Sequence, residues 1–197
     1  STECFGNVGD YRADELTPFR PRSPYAVAKA AAFWEVANYR EAYHLFACSG
    51  ILSNHESPLR PERFVTQKIV AAACRIAAGQ QSRVSLGNLS IIRDWGWAPE
   101  YVDAMHRMLQ QPAPDDYLIA TGYSVSLEDF VDAAFKYVGL NWPEHVDLSP
   151  ELLRPTDLQA SRLNPAKAES QLGWTAGVRM PQVVHLMIDA WRERHCS

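Results

Sequence analysis

Residues 45–52 have the sequence LFACSGIL, and residues 64–78 have the sequence FVTQKIVAAACRIAA. The first stretch is a short continuous apolar run, which is typical of a strand buried on both faces of a parallel sheet. The second repeats apolar residues at helical spacing and ends before Gly79. Together they predict a strand followed by a helix, the unit from which α/β folds are built.

The flanking segments continue this alternation. Ser23-Pro24 is a helix N-cap with Pro at the first helical position, which predicts a long helix over 24–43. Further strands are predicted over 84–86 and 117–121, and further helices over 101–110, 127–138, 165–172 and 180–194. The pattern predicts an α/β fold with a mostly parallel sheet, followed from about residue 53 by a smaller, interleaved mixed region.

Composition narrows the class of protein. The chain has 197 residues, of which 47% are hydrophobic and 21% charged, as in ordinary globular domains. No apolar run approaches the roughly 20 residues that span a bilayer, so we expect a cytoplasmic protein with no membrane partner. The net charge of −4 comes without a run of Lys and Arg, so no nucleic-acid partner is expected. The four cysteines form no Cys-x-x-Cys pair, and no metal site is expected.

The glycine pattern lacks one expected element of a dinucleotide fold. None of the ten glycines forms Gly-x-Gly-x-x-Gly, the turn that holds the pyrophosphate. The sequence also starts at Ser1, without Met, and reaches dense motifs at once. We therefore expect the remainder of a longer protein, with an incomplete nicotinamide site and with exposed sheet edge and apolar surface.

Tyr25 and Lys29 are the first candidate catalytic pair. They lie four residues apart near the start of the predicted helix, so the phenol and the ammonium share one helical face. A nearby cation favours the phenolate, which makes Tyr25 a candidate base for a sugar hydroxyl. Tyr-x-x-x-Lys also occurs by chance in many helices, and a surface pair is the alternative interpretation.

Ser1, Thr2 and Glu3 precede this pair at the end of a predicted strand. The wider context resembles a known family. The matching segments are STECFG (1–6), ELTPFRPRSPYAVAKA (15–30), NYREAY (38–43), GILSNHESPLRPERFVTQKI (50–69), LGNLSIIRDWGWAPEYV (86–102) and YLIATG (117–122). They are similar to GDP-mannose 4,6-dehydratases, which belong to the extended short-chain dehydrogenase/reductase family. The resemblance is dense to about residue 140. It implies the C-terminal portion of a Rossmann-type parallel sheet, with residues 1–53 ending the Rossmann-type domain and 54–197 holding its remaining elements and a smaller mixed α/β substrate-binding region.

The resemblance also implies roles for individual residues. Ser1, Glu3, Tyr25 and Lys29 are the implied catalytic residues, with Tyr25 and Lys29 also touching an NADP cofactor. Tyr25 is then the base for the C4 hydroxyl, and Glu3 removes the C5 proton before water leaves. Glu3 distinguishes a dehydratase from an epimerase, which needs no carboxylate for C5 chemistry.

Further residues are implied to bind ligands. His55 and Arg60 are expected to contact the cofactor. Asn54, Lys68, Arg93 and Arg154 are expected to bind a GDP-sugar substrate, since planar guanidinium groups suit bidentate contacts with phosphate. Asn54 and His55 follow the predicted strand ending at Leu52, and open α/β sheets bind ligands at such carboxyl ends. The resemblance further implies a homo-oligomer, a dimer or a tetramer.

Several positions depart from the family pattern. Leu59 and Pro61 stand where Arg and Gly are usual, Gln67 stands where Arg is usual, and Trp97 and Pro99 replace His and Lys. The stretch between Gly139 and Arg154 is also short. These departures leave a GDP-manno-heptose 4,6-dehydratase as the nearest alternative. A noncatalytic nucleotide-sugar-binding module and a reductase or epimerase of the same superfamily are two further alternatives.

Overall fold

The structure is a computed structural model that describes residues 1–153 and 156–195. A 3₁₀ helix at Thr2–Phe5 precedes the first long helix, and two more 3₁₀ turns lie at Trp142–Glu144 and Pro150–Leu152. The α-helices are α1 (Pro24–Tyr43), α2 (Val65–Ala77), α3 (Ala98–Met108), α4 (Leu127–Tyr137), α5 (Ala166–Leu172) and α6 (Met180–His195). The strands are β1 (Ser49–Leu52), β2 (Asn54–Glu56), β3 (Val84–Leu86), β4 (Ile92–Trp97), β5 (Asp116–Ile119), β6 (Ser124–Ser126) and β7 (Val146–Leu148).

Parallel pairing dominates the strands. β1 pairs with β5, β2 with β4, and β3 with β7, all in parallel, while β6 adds to β4 in the antiparallel sense. The chain leaves β1 at Leu52 and starts β2 at Asn54, so it changes pairing partner at Ser53, which is buried. This arrangement confirms the predicted α/β fold. The division of the chain at residue 53 stays a prediction.

The largest core lies between three helices and the strands beside them. Buried apolar side chains of α2, α4 and α6, with Ile69, Phe130 and Ile188 fully buried, pack with Leu86 of β3 and Trp95 of β4. Helix α4 begins with a capping box in which Ser126 and Asp129 satisfy each other's backbone N–H groups. The core fixes the strand ends on which the candidate site is built.

Helix α1 is mostly exposed. Its N-cap Ser23 accepts a hydrogen bond from the Ala26 N–H, as the sequence predicts. Only Ala26 and Ala30 of its twenty residues are buried, and Trp34 and Tyr43 are 63% and 65% exposed. In the described ranges, β1 has a strand partner on one edge only. No helix in those ranges has the length and apolar character needed to cross a membrane.

Three local predictions are wrong. The strand predicted over 45–52 is limited to Ser49–Leu52, because the chain bends after α1 and leaves Leu45 and Phe46 half exposed. Helix α3 starts at Ala98 rather than Tyr101, since Pro99 is accepted in its first turn. The segment before α1 that was expected to end a strand forms the 3₁₀ helix Thr2–Phe5, capped by the Ser1 side chain.

Candidate active site

A cleft of about 1000 Å³ lies between the start of α1, the end of β1, β2, β4 and the first turn of α2. Nine of the residues predicted from the sequence line this one cleft: Ser1, Glu3, Tyr25, Lys29, Asn54, His55, Arg60, Lys68 and Arg93. Arg154 lies outside the described residues. The structure therefore brings together side chains from five separate segments, while their individual roles remain predictions.

Ser1 and Glu3 are held beside α1 by the 3₁₀ helix. The Ser1 Oγ accepts a hydrogen bond of 3.4 Å from the Glu3 N–H. Two contacts dock the helix: the Arg20 N–H donates to the Cys4 carbonyl at 2.8 Å, and the Cys4 thiol lies 3.8 Å from the Ala26 carbonyl oxygen. Burial raises the pKa of the Cys4 thiol, so this thiol stays protonated as a donor. Glu3 thereby has a fixed position near the first turn of α1.

Tyr25 and Lys29 stand on the cleft side of α1. Successive turns of the helix bring them together, and the Lys29 Nζ lies 5.6 Å from the centroid of the Tyr25 ring. Tyr25 is 52% exposed, so its phenol is open to a ligand. The geometry allows the ammonium to act on the phenol electrostatically.

Arg60 is fixed by a buried carboxylate. Glu56, at the end of β2, is 1% exposed and accepts two hydrogen bonds from the Arg60 guanidinium, from Nε at 2.8 Å and from Nη2 at 2.9 Å. Thr66 donates a third at 2.8 Å. The Glu56 hydrogen bonds raise the pKa of Arg60 above its ordinary value. The guanidinium also lies over the Phe64 ring, 4.4 Å from its centroid, which orients its plane.

His55 rests on a buried polar layer that the sequence reasoning missed. Its Nδ1 lies 2.8 Å from the Ser53 carbonyl oxygen, and its ring stacks on Tyr101 at a centroid distance of 5.0 Å. The Ser53 hydroxyl contacts Asp94, which is 1% exposed. Burial raises the pKa of Asp94, and burial also raises that of Tyr101 well above its ordinary value. The Asp of the RDWG motif was the available signal, since a carboxyl next to the large apolar Trp95 in a strand needs a buried partner.

Two predicted substrate-binding cations already have partners. Arg93 donates to Asp157 at 3.0 Å and to the Ile92 carbonyl at 2.9 Å. Lys68 donates to the Ser85 carbonyl at 2.7 Å. Both side chains are thus oriented along the cleft wall before any ligand binds.

The positions that depart from the family pattern take distinct environments. Leu59 is 81% exposed, next to Arg60, which lines the cleft. Gln67 is 6% exposed, and within the described ranges its Oε1 has no hydrogen-bond partner. Trp97 ends β4 at the N-cap of α3, and Pro99 fits the first turn of that helix. Among the described residues, no group of three or more His, Cys, Asp or Glu is placed to hold a metal ion.

Comparisons with known proteins identify relatives for this arrangement. The family model described as GDP-mannose 4,6 dehydratase matches residues 1–187. GDP-mannose 4,6 dehydratase 1 of Arabidopsis thaliana is 49% identical over 189 residues, which are 96% of this chain and 52% of that protein. The chain thus spans about half the length of this relative.

Solved structures share the fold at lower identity. The RMD structure from Pseudomonas aeruginosa, complexed with NADPH, matches with a TM-score of 0.89 and 19% identity over 98% of this chain and 65% of that one. The dTDP-glucose 4,6-dehydratase of Bacillus anthracis, in complex with NAD, matches with a TM-score of 0.87 and 19% identity over 99% and 60%. The family model covers nearly the whole chain, from the 3₁₀ helix that carries Glu3 into α6, and on this match the chain belongs to the GDP-mannose 4,6-dehydratase family.

Proposed function

We propose that the protein containing this chain is a GDP-mannose 4,6-dehydratase that forms GDP-4-keto-6-deoxymannose with NADP. One observation carries the proposal: a carboxylate, Glu3, lines the same cleft as the Tyr25–Lys29 pair. A cleft with Tyr25 and Lys29 alone would suit oxidation and reduction of a sugar. The added carboxylate supplies the base that elimination needs.

The cleft residues suit the nicotinamide end of the cofactor. His55 offers a ring nitrogen and Arg60 a fixed cation within the cleft, while Lys29 can donate to a ribose hydroxyl. The sequence contains no glycine-rich turn for the pyrophosphate, so these residues form part of the cofactor site. When bound, the nicotinamide supplies a hydride acceptor for C4 of the sugar and returns that hydride to C6.

Different residues of this chain carry out the successive proton transfers. Tyr25, assisted by Lys29 and by Ser1 of the same cleft, takes the proton of the C4 hydroxyl as C4 becomes a ketone. The ketone makes the C5 hydrogen acidic, and Glu3 removes it. Glu3 passes the C5 proton to the C6 hydroxyl, which leaves as water. After reduction at C6, C5 takes up a new proton while Tyr25 releases the one that it took from the C4 hydroxyl, so that the sugar has lost one water overall.

We assign substrate binding to three further side chains of the cleft that contains Tyr25. Asn54 can hydrogen-bond the sugar nucleotide, and Arg93 and Lys68 supply positive charge for the diphosphate or the nucleoside. Arg93 is paired with Asp157, which orients the guanidinium plane. Arg154 belongs to this set by family resemblance. We further propose a homo-oligomer, for which the exposed aromatic side chains of α1 are suitable contact surface.

A GDP-manno-heptose is the second candidate substrate. The exposed Leu59 and the buried Gln67 occupy positions where the family pattern has Arg, so the segment that contains the cleft residues Arg60 and Lys68 carries less positive charge than that pattern implies. The heptose differs from mannose by one carbon, and the same proton transfers would apply to it.

The decisive experiment compares substrates in the protein at its full natural length. The protein is incubated with NADP and either GDP-mannose or a GDP-manno-heptose, and mass spectrometry follows loss of one water from the sugar nucleotide. Loss of water from GDP-mannose supports the proposal, and loss from the GDP-manno-heptose alone would identify the heptose as the substrate. Turnover of neither substrate would favour a noncatalytic nucleotide-sugar-binding module.

A further inference from the structure

The contacts of His55 determine which ring nitrogen carries its proton. Its Nδ1 lies 2.8 Å from the carbonyl oxygen of Ser53. A carbonyl oxygen accepts hydrogen bonds only, so Nδ1 must be the donor. In the neutral ring, Nε2 then has a lone pair. Within the described part of the chain Nε2 makes no hydrogen bond, and His55 lines the cleft.

Ser53 is held in place by a buried carboxyl. The Ser53 Oγ lies 3.0 Å from Asp94 Oδ1 and 2.5 Å from the Tyr101 hydroxyl. The same Asp94 oxygen accepts the Thr121 N–H at 3.0 Å. If the Ser53 hydroxyl donates to Asp94, its single proton is used, and the Tyr101 hydroxyl donates to Ser53. Asp94 thereby joins β4 to the residues that follow β1 and β5.

Tyr101 fixes the plane of the imidazole. Its ring is fully buried and stacks on His55 with an interplanar angle of 26°. Space for the ring exists because residue 96 is Gly: a Cβ there would lie 2.4 Å from the Tyr101 Cε2. The Tyr101 hydroxyl therefore contacts Ser53, and the face of the Tyr101 ring contacts His55.

We propose that Asp94 and Ser53 are positioning residues that hold the His55 ring as the Nδ1–H tautomer. His55 then presents Nε2 as an acceptor to a hydrogen-bond donor of the bound nicotinamide nucleotide. The part concerning the nucleotide rests on the proposed function. The part concerning the tautomer does not, because it follows from contacts within this chain. Neither Asp94 nor Ser53 is assigned a contact with substrate or cofactor.

The test begins with the tautomer of His55 in the unliganded protein, measured from the ¹⁵N shifts of its ring nitrogens at a pH where the ring is neutral. The wild-type protein should show the Nδ1–H form. Ser53→Ala keeps the backbone carbonyl but removes the hydroxyl that ties residue 53 to Asp94 and Tyr101. The carbonyl is then free to shift relative to the ring, and the variant should yield a mixture of tautomers. Asp94→Asn keeps an oxygen that can accept from Ser53 and Thr121, and it should preserve the wild-type tautomer.

Ser49→Ala is the matched control, because it is the same substitution in β1, and within the described ranges the Ser49 Oγ is buried without a partner. An Nε2–H ring in the wild-type protein, or an unchanged Nδ1–H ring in Ser53→Ala, would overturn the positioning role. An equal tautomer change in Ser49→Ala would also overturn it.

A second readout addresses the nucleotide. In the protein at its full natural length, Ser53→Ala should weaken NADP binding about fivefold, as expected for one impaired neutral hydrogen bond, and Ser49→Ala should not. A changed tautomer with unchanged NADP affinity would overturn the cofactor contact. If only the dehydratase assay fails, the result for the His55 tautomer still holds. The positioning role and the proposed function can therefore fail independently.

Discussion

Both oxygens of the buried Glu56 carboxylate accept hydrogen bonds from the Arg60 guanidinium, at 2.8 Å and 2.9 Å. The pair joins the end of β2 to the loop that leads into α2. Glu56 also receives the Thr66 hydroxyl at the first turn of α2. The Glu56 carboxylate therefore holds the end of β2 against the start of α2, and it also orients the guanidinium of Arg60, which is predicted to bind the cofactor.

Glu56→Gln should lower the free energy of unfolding by about 1–3 kcal/mol, because the amide cannot accept from Arg60 and Thr66 at both of its terminal atoms. Urea unfolding followed by circular dichroism measures the loss. Asp147→Asn is the matched control, since it removes one carboxylate from the exposed Arg83–Asp147 pair, in which both side chains are about half exposed. A loss in the control as large as that in Glu56→Gln would contradict the account.

Gly96→Ala should destabilise the protein by about 1–3 kcal/mol, the usual cost of overpacking a core. The new Cβ would meet the Tyr101 ring and its hydroxyl at 2.4 Å and 2.6 Å, so Tyr101 must move away from Ser53 and His55. Thermal and urea unfolding would measure the change. Gly50→Ala should cost less, because its nearest contact is a Leu52 methyl at 3.2 Å, which can move. Equal stability of Gly96→Ala and the wild-type protein would show that the space beside Tyr101 is not limiting.

The raised pKa of Asp94 predicts that the stability of the protein depends on pH. Burial raises this pKa above the ordinary value of 3.8, so between 3.8 and the raised folded-state pKa the folded protein binds more protons than the unfolded chain. The contribution of Asp94 to stability is therefore present at low pH and is lost as pH rises through that window. Relative to Asp94→Asn, the wild-type protein should lose stability as the pH is raised from 4 towards neutrality.

Urea midpoints for both proteins across that pH range measure the difference. Because all other groups titrate in both proteins, the difference between them reports on Asp94. A wild-type protein that gains stability over Asp94→Asn with rising pH would contradict the raised pKa.

Tyr25→Phe should lower kcat for dehydration by roughly 10²–10⁴-fold, the usual contribution of a general base. Stability should change little, because Tyr25 is 52% exposed. Steady-state kinetics in the protein at its full natural length provide the measurement. Tyr39→Phe removes the same hydroxyl from another exposed tyrosine of α1, outside the cleft, and should retain activity. Comparable losses in both variants would point to a general effect on α1.

The fold was largely predictable where the local sequence determines the structure. The Ser23 cap and Pro24 set the start of α1, and the Ser126–Asp129 box sets that of α4. The extent of β1 was not predictable, because Leu45 and Phe46 are apolar yet half exposed next to the bend that follows α1. An apolar run alone cannot distinguish a strand in the core from surface that lies beside it.

The site was predictable only in part. Motif resemblance identified Glu3, Tyr25, Lys29 and His55, and the structure places all four around one cleft. The support for His55 was missed, because Ser53, Asp94 and Tyr101 lie up to 48 residues apart in sequence. Only the change of pairing partner between β1 and β2 brings them together.

Glu3→Gln provides the most direct test of the proposed dehydratase activity. In the protein at its full natural length, with GDP-mannose and NADP, mass spectrometry should show loss of one water with the wild-type protein. The variant should fall by roughly 10²–10⁴-fold, because the amide cannot take the C5 proton, and it should still bind the sugar nucleotide. Dehydration by Glu3→Gln at the wild-type rate would contradict the account.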